Sequence, residues 1–372
     1  MSYKIKPPFR ADHVGSLLRP GTLLQAREKF ANGGISAQEL RQAEDAAIRE
    51  AVSFQEDLGL HAITDGEFRR TFFHTDFLQK LKGIEIRGGI EKKFHRVNGD
   101  VDFAPPKLVV TGRLQREHEI NVEDFRFLKS LTRETAKLCI PSPTMVHFRG
   151  GRGAIDEVSY PDMDEFFHDL ARVYREEINE LAASGCTYLQ LDDTNLAYLC
   201  DTNLRQAARD MGEDPDQLPH VYAQLINECL AGVPDTMTTG IHLCRGNFRS
   251  AWVAEGGYDP VAEVLFQAIN VDTYFLEYDD ERSGGFAPLR HVPANKTVVL
   301  GLISSKLAQL ESRDEIKQRI DEAAKYLDLG QLCLSPQCGF SSTVHGNELS
   351  MEDEKAKLAM VVDIAEDVWG ET

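Results

Sequence analysis

One unit recurs along the 372-residue chain: a capped amphipathic helix, a glycine that ends it, and a short apolar run. In the first example, Ser36 and Glu39 have the spacing of a capping box, the helical pattern ends at Gly59, and HAITDGE follows. The segments PDMDEFFHDLARVYREEINELAASG and SRDEIKQRIDEAAKYLDLG repeat the pattern before TYLQLDD and QLCLSPQCG. Because helical crossovers connect parallel strands, the repetition predicts a parallel sheet.

Eight apolar runs fit this unit, and eight is the strand number of a TIM barrel. They are ADHVGS (11–16), HAITDGE (61–67), TMVHF (144–148), TYLQLDD (187–193), TTGIHLC (238–244), TYFLEY (273–278), VVLGLIS (298–304) and LCLSPQC (332–338). Residues 83–115 depart from the pattern, and their alternating stretches predict an antiparallel excursion after the second strand. Since no Pro-, Gly- or Ser-rich linker divides the chain, we predict a single α/β domain over residues 1–372, a (β/α)8 TIM barrel with this excursion.

The charge balance limits the partners. A net charge of −19, from 41 basic and 60 acidic residues, disfavours nucleic acid and anionic membrane surfaces. No apolar run approaches the roughly 20 residues of a transmembrane helix, and the first residues lack the apolar core of a secretion signal. The seven cysteines are an odd, scattered set, so we expect free thiols and a cytoplasmic location. A homo-oligomer is compatible with the sequence.

Most of the apolar runs end in polar or ionisable residues, which in a barrel line the active-site mouth. His242 and Cys244 are two residues apart, so their side chains point to the same side of a strand. Glu277 lies at the end of the next run and Cys338 ends the last one. An isolated His-x-Cys pair is more often incidental than a ligand pair. One imidazole, two thiols and one carboxylate at one mouth nevertheless form a donor set for Zn²⁺, which we predict here.

Six segments resemble the catalytic barrel of cobalamin-independent methionine synthases, in the same order from about residue 10 to 345. They are DHVGSLLRP, TDGEFRR, LQLDDTN, GIHLCRGNF, FLEYDD and LSPQCGF. The resemblance implies that His242, Cys244, Glu277 and Cys338 hold Zn²⁺, and that Glu277 yields its place when a substrate thiol arrives. The metal would deprotonate that thiol and so make the nucleophile.

The same resemblance implies a binding site for the amino-acid end of homocysteine. Ser16 would lie near its carboxylate, and Glu67 and Asp192 would bind its ammonium group. The predicted reaction is transfer of a methyl group from a 5-methyltetrahydrofolate-type donor to homocysteine, forming methionine.

The donor half of the pocket resembles the family less. The family's Asn-Trp pair reads VHFRGG here, without tryptophan, and we expect His147 in this segment to contact a substrate. The family's proton-transferring histidine is replaced by Lys306, at the end of GLISSK. A lysine supplies a proton near neutral pH only in a buried setting or beside another charge. Asp192 and Lys306 are the candidate catalytic residues.

Two other functions stay open. Epoxyalkane:coenzyme M transferase resembles the same group, with a thiol attacking an epoxide, but its sulfonate-bearing acceptor suits the acidic Glu67 and Asp192 poorly. A catalytically silent barrel with structural zinc would have a closed metal site.

Several residues near the predicted active-site mouth have two possible roles. The segment FRRTFFHTDF (68–77) either covers the mouth or packs as a loop, and Arg149 and Arg152 either bind an anionic tail or lie in solvent. Cys139 is assigned to the core.

Overall fold

The computed structural model describes residues 6–89, 92–96 and 99–372. Its α-helices are α1 (Gly21–Ala31), α2 (Ala37–Asp57), α3 (Thr75–Leu78), α4 (Val122–Leu131), α5 (Met163–Ala183), α6 (Asn195–Tyr198), α7 (Thr202–Asp210), α8 (Leu218–Cys229), α9 (Ala262–Ala268), α10 (Arg313–Ala323) and α11 (Met351–Trp369). Its strands are β1 (Ala62–Ile63), β2 (Lys82–Gly89), β3 (Lys92–Phe94), β4 (Val101–Phe103), β5 (Pro106–Gln115), β6 (Thr135–Pro141), β7 (Tyr188–Asp193), β8 (Thr238–Leu243), β9 (Thr273–Glu277), β10 (Thr297–Ile303) and β11 (Leu332–Pro336).

Seven strands form one curled parallel sheet in the order β1-β6-β7-β8-β9-β10-β11. The first predicted run occupies the gap between the two edges. Ala11 forms a parallel bridge with Leu334 of β11, and the Leu17 amide donates to the Gly66 carbonyl oxygen, just beyond β1, at 3.1 Å. Helices cross over between the parallel strands, so the predicted TIM-like barrel is confirmed.

The strand positions differ from the prediction at the start of the barrel. The third strand is β6, and the predicted run TMVHF lies mainly in a short 3₁₀ helix (Pro143–Val146), which begins with a proline after the strand. Lys137 in the middle of β6 interrupts its apolar pattern and hides it in the sequence. In the fold, Lys137 is buried and its Nζ lies 2.9 Å from Asp12 Oδ1. The first two runs are nearly free of regular strand: residues 11–16 make the single bridge and β1 has two residues.

The 83–115 excursion is antiparallel, as predicted. β2 pairs with β5, and β3 pairs with β4. The β3–β4 hairpin joins the barrel through His95, whose amide donates to the Trp252 carbonyl oxygen at 2.7 Å and whose carbonyl accepts from the Trp252 amide at 2.8 Å. The hairpin is therefore held beside the loop that follows β8, at the carboxyl end of that strand.

The three helices named from the sequence are α2, α5 and α10. The Ser36–Glu39 capping box of α2 is complete, with the Ser36 hydroxyl accepting from the Glu39 amide and the Glu39 carboxylate accepting from the Ser36 amide. Each helix turns an apolar face to the sheet, including Ile48 and Val52 in α2. Among the described residues, no helix is both long and apolar enough to span a membrane.

Candidate metal centre and substrate pocket

Four potential metal ligands meet at the carboxyl ends of β8, β9 and β11. His242 lies in β8, Cys244 follows that strand directly, Glu277 is the last residue of β9, and Cys338 lies two residues beyond β11. One ligand atom from each lies within 4.8 Å of the others, and the two Sγ atoms are 3.4 Å apart. All four side chains are buried. The structure thus brings together the full set predicted from the sequence.

The polar atoms of this quartet fit a cation. Both ring nitrogens of His242 and Oε2 of Glu277 are buried, and none has a hydrogen-bond partner within the described ranges. Buried polar atoms without partners are costly unless a ligand satisfies them. The hydrogen bond from Cys244 lowers the pKa of the Cys338 thiol well below its usual range, although burial opposes this. Two sulfurs, one nitrogen and one oxygen are a donor set that suits Zn²⁺.

Glu277 is fixed by contacts outside the quartet. Its Oε1 accepts from the Arg245 amide at 2.9 Å, and its own amide donates to the Tyr258 hydroxyl at 3.0 Å. Arg282 lies farther away, with its Nη2 3.7 Å from Glu277 Oε2. One carboxylate oxygen is therefore anchored to the chain, and the other is the one left for a metal ion.

The predicted binding residues for an amino acid line the same cavity as the metal quartet. Ser16, Glu67 and Asp192 line one cavity together with His242, Cys244 and Cys338. Register connects the two groups, because Asp192 in β7 pairs with His242 in β8. The acidic pair is therefore the immediate neighbour of the metal ligands.

Glu67 is held in an unusual backbone conformation. Its φ of 60° lies in the left-handed region, which costs a non-glycine residue about 1–3 kcal/mol. The Glu67 amide donates to Asp65 Oδ1 at 2.9 Å, and Arg19 donates to the Glu67 carbonyl oxygen at 2.7 Å. Strain kept in place by buried hydrogen bonds is typical of functional sites.

Burial brings the pKa of both acids of the pocket close to neutral pH. It raises the pKa of Glu67 to about 7, with Arg70 opposing the shift and the charge of Asp192 adding to it. Burial also raises the pKa of Asp192 to about 6, against the charge of His242 and a 2.7 Å hydrogen bond from Gln190. The partner of Glu67 is Arg70, whose Nη1 lies 3.3 Å from its Oε2. A cationic group bound here would favour the ionised form of both acids.

The two residues predicted for the donor side lie elsewhere. Lys306 is buried, and its Nζ has no hydrogen-bond partner in the described part of the chain; its charge acts on Glu277 and Cys338. It lines a separate polar cleft rather than the cavity that holds the acidic pair. His147 is buried, with Nδ1 2.9 Å from the Tyr222 hydroxyl and Nε2 3.4 Å from Glu213, and it does not line the cavity.

Sequence reasoning missed the aromatic wall of the cavity. Five phenylalanines line it: Phe72, Phe73, Phe94, Phe103 and Phe248. Two of them come from the β3–β4 hairpin, and Phe103 stacks on Phe248 with ring centroids 3.8 Å apart. The excursion therefore closes over the pocket, and the segment 68–77 lines it as well. The aromatic pattern of that segment was the only signal in the sequence.

The structure also locates Cys139, Arg149 and Arg152 relative to the cavity. Cys139 is buried, as expected, and its Sγ lies within 4.8 Å of a carboxylate oxygen of both Glu67 and Asp192. Arg149 lines the cavity, whereas the guanidinium of Arg152 donates to the Tyr160 carbonyl oxygen and does not line it.

Comparison with known proteins shows the family of this chain. Residues 10–367 match the family model of the cobalamin-independent synthase catalytic domain. The chain belongs to this family. The resemblance drawn from the six segments is confirmed, and with it the expectation of an enzyme of the methyltransferase class.

Relatives of similar length share nearly the whole chain. The uncharacterized protein YxjH of Bacillus subtilis (strain 168) is 46% identical over 369 residues, covering 98% of this chain and 96% of the relative. The methionine synthase of Pyrococcus furiosus is 24% identical over 358 residues, covering 96% and 91%. The crystal structure of a candidate vitamin-B12 independent methionine synthase from Listeria monocytogenes is 40% identical with a TM-score of 0.79, covering 99% of this chain and all of that one.

Proposed function

We propose that this protein transfers a methyl group to the thiol of homocysteine and so forms methionine, using Zn²⁺ held by His242, Cys244, Glu277 and Cys338. The observation that carries the proposal is the shared cavity: three of these four side chains line it together with Ser16, Glu67 and Asp192. The name of the Pyrococcus furiosus relative, which also has a single barrel's length, supports the same reaction.

The acidic pair favours an amino-acid acceptor. Glu67 and Asp192 would bind the ammonium group, and their neighbour His242 brings the metal ligands next to that group. Ser16 supplies a hydroxyl for the carboxylate; its Oγ now accepts from the Ser341 amide at 3.3 Å. A sulfonate-bearing thiol would instead place an anion beside two carboxylates. Homocysteine therefore suits the pocket better than an acceptor of the coenzyme M type.

Bound zinc would supply the thiolate, because coordination removes the proton of a thiol. The protein's side chains would contribute through their positions around the metal. Glu277 has one oxygen anchored to the Arg245 amide, and releasing its other oxygen would make room for the substrate sulfur. The aromatic wall would shield the thiolate from water and offer apolar surface to the donor. We propose a 5-methyltetrahydrofolate-type donor there, with its ring against the phenylalanines.

One pair of variants separates two roles for Lys306. Two thiolates and one carboxylate around Zn²⁺ carry a net charge of −1, which a buried ammonium beside Glu277 and Cys338 would balance. The sequence predicted instead that Lys306 donates the proton to the departing carrier. Lys306→Arg keeps the charge but donates no proton at neutral pH, because arginine stays protonated. Charge balance predicts that zinc content survives in Lys306→Arg and falls in Lys306→Met; proton donation predicts that both lose turnover.

The test of the proposed function is zinc content with zinc-edge X-ray absorption, before and after homocysteine is added. We expect one zinc per chain, with one sulfur ligand gained and one oxygen ligand lost on adding homocysteine. A methionine assay with 5-methyltetrahydrofolate then tests the donor. If the zinc ligands do not change when homocysteine is added, homocysteine is not the acceptor. A protein without zinc after metal-replete purification would contradict the metal site.

A further inference from the structure

Arg149 and His74 form a polar pair in the wall of the cavity, outside the acidic pair and the metal quartet. Both residues line the cavity. Arg149 follows the short 3₁₀ helix after β6, and His74 precedes α3 in the segment that carries Phe72 and Phe73. Arg149 Nη1 donates to His74 Nε2 at 3.2 Å.

This hydrogen bond fixes the tautomer of His74. An arginine only donates, so Nε2 must be the unprotonated nitrogen of the ring. Burial and the charge of Arg149 lower the pKa of His74 well below its usual range, so the ring is neutral and Nδ1 carries the hydrogen. His74 Nδ1 is buried and has no partner among the residues described. His74 Nδ1 is therefore a buried hydrogen-bond donor without an acceptor in the described part of the chain.

Arg149 also has a hydrogen-bond donor without an acceptor among the described residues. Its Nε is buried without a partner, and no carboxylate of the described chain lies within ion-pair distance of its guanidinium. Arg149 is partly buried, and a cation that gives up part of its hydration without a counter-charge carries a cost in stability. The protein carries a net charge of −19, so acidic partners were abundant.

We infer that Arg149 and His74 form a subsite for an oxyanionic group, such as a carboxylate, sulfonate or phosphate, of the second substrate. The identity of that substrate as the methyl carrier rests on the proposed function. Arg149 Nε and His74 Nδ1 both lack an acceptor among the described residues, and one of these two donors is charged, which suits an oxyanion. Phe72 and Phe73 lie next to His74 in sequence and line the cavity beside it, so a flat ring adjoining the anion has apolar faces to contact.

The acceptor has its own charged contacts at the other end. Its ammonium group would meet Glu67 and Asp192, and Asp192 pairs in register with His242. Arg149 contacts His74 instead, and the described ion pairs include none between Arg149 and either acid. We therefore assign the anion subsite to the molecule that contacts the aromatic wall beside His74.

The test uses calorimetric binding of 4-aminobenzoate and the matched neutral probe 4-aminobenzamide to the zinc-loaded protein. We expect the wild type to bind the anion about tenfold more tightly, since hydrogen bonds to a charged group are the stronger ones. Arg149→Gln should lose this preference. Arg249→Gln is the control, because it removes the same charge next to Phe248 from a side chain that is 55% exposed. Equal binding of the two probes, or a preference that survives Arg149→Gln, would overturn the inference.

Two further readouts distinguish this subsite from a structural arginine and from a contact to the acceptor. If Arg149 is kept for ligand binding, Arg149→Gln leaves the melting temperature of the free protein unchanged or raises it; a fall of several degrees shows a structural arginine and refutes the subsite. Methionine should bind Arg149→Gln as it binds wild type. A tenfold weaker affinity for methionine would assign the anion to the acceptor and overturn the assignment to the second substrate. None of these measurements needs methyl transfer, so they fail or succeed independently of the proposed reaction.

Discussion

Replacing Glu67 by glutamine tests the acidic pair through the pH dependence of methionine binding. Methionine has the amino-acid end of the proposed acceptor but no thiol, so its binding does not report thiol ionisation at the metal. Its ammonium group attracts the pair only when the carboxylates are ionised. Burial raises the pKa of Glu67 to about 7 and that of Asp192 to about 6, so this attraction is present above pH 7 and is lost as the pH falls.

The size of the effect follows from the two pKa values. At pH 6 a carboxyl with a pKa of about 7 is roughly one-tenth ionised and one with a pKa of about 6 is half ionised, so both are charged in about 5% of molecules. At pH 8 the fraction is about 90%. Affinity for methionine should therefore fall about 20-fold from pH 8 to pH 6. In Glu67→Gln only Asp192 titrates, and the fall shrinks to about twofold.

Isothermal titration calorimetry between pH 6 and 8 measures both slopes. Glutamine keeps the size and the left-handed backbone of Glu67, so the fold should tolerate the change; a near-ultraviolet circular dichroism spectrum checks this. A wild-type affinity that is flat across this range would refute the reasoning. So would a Glu67→Gln variant that keeps the full pH dependence of the wild type, because the titrating groups would then lie elsewhere.

Two more variants, each with a control, test the metal quartet and the position of Ser16. Cys338→Ser should lose zinc, measured by mass spectrometry, whereas the buried Cys333→Ser in β11 should keep it; equal zinc in both would remove Cys338 from the ligand set. At Gly339 an added Cβ would overlap Ser16 Oγ, so Gly339→Ala should displace the serine and weaken methionine binding about tenfold, the value of one hydrogen bond to a charged group. At Gly330 a Cβ meets nothing within 4 Å, and Gly330→Ala should bind methionine as wild type does.

The parts of the site that the sequence predicted follow from local geometry. His242 and Cys244 are two apart in one run, and parallel strands bring their carboxyl ends to one edge of the barrel, so the quartet needed only the strand order. Glu67 and Asp192 were placed by resemblance to the family, and the cavity contains both.

The parts that were missed depend on contacts distant in sequence. Lys137 made β6 look polar because its partner, Asp12, lies 125 positions earlier. Without β6, Cys139 could not be placed beside the acidic pair. The aromatic wall was missed for the same reason. Phe103 stacks on Phe248 at the pocket, and no local sequence pattern indicates that contact. Hydrophobic periodicity reports which face of an element is buried, and not which residues it meets.

The charged groups of the cavity suit different parts of the two proposed substrates. The acidic pair adjoins His242 through the register of β7 and β8, whereas Arg149 contacts His74 beside Phe72 and Phe73. In the proposed reaction, an acceptor that joins an ammonium group to a thiol would bind the acidic pair and place its sulfur at the metal ligands. A carrier with an oxyanion would bind Arg149 and place its ring against the phenylalanines. Methyl transfer needs the sulfur and the leaving group in line on either side of the carbon, so separate charged contacts for the two substrates would favour that alignment.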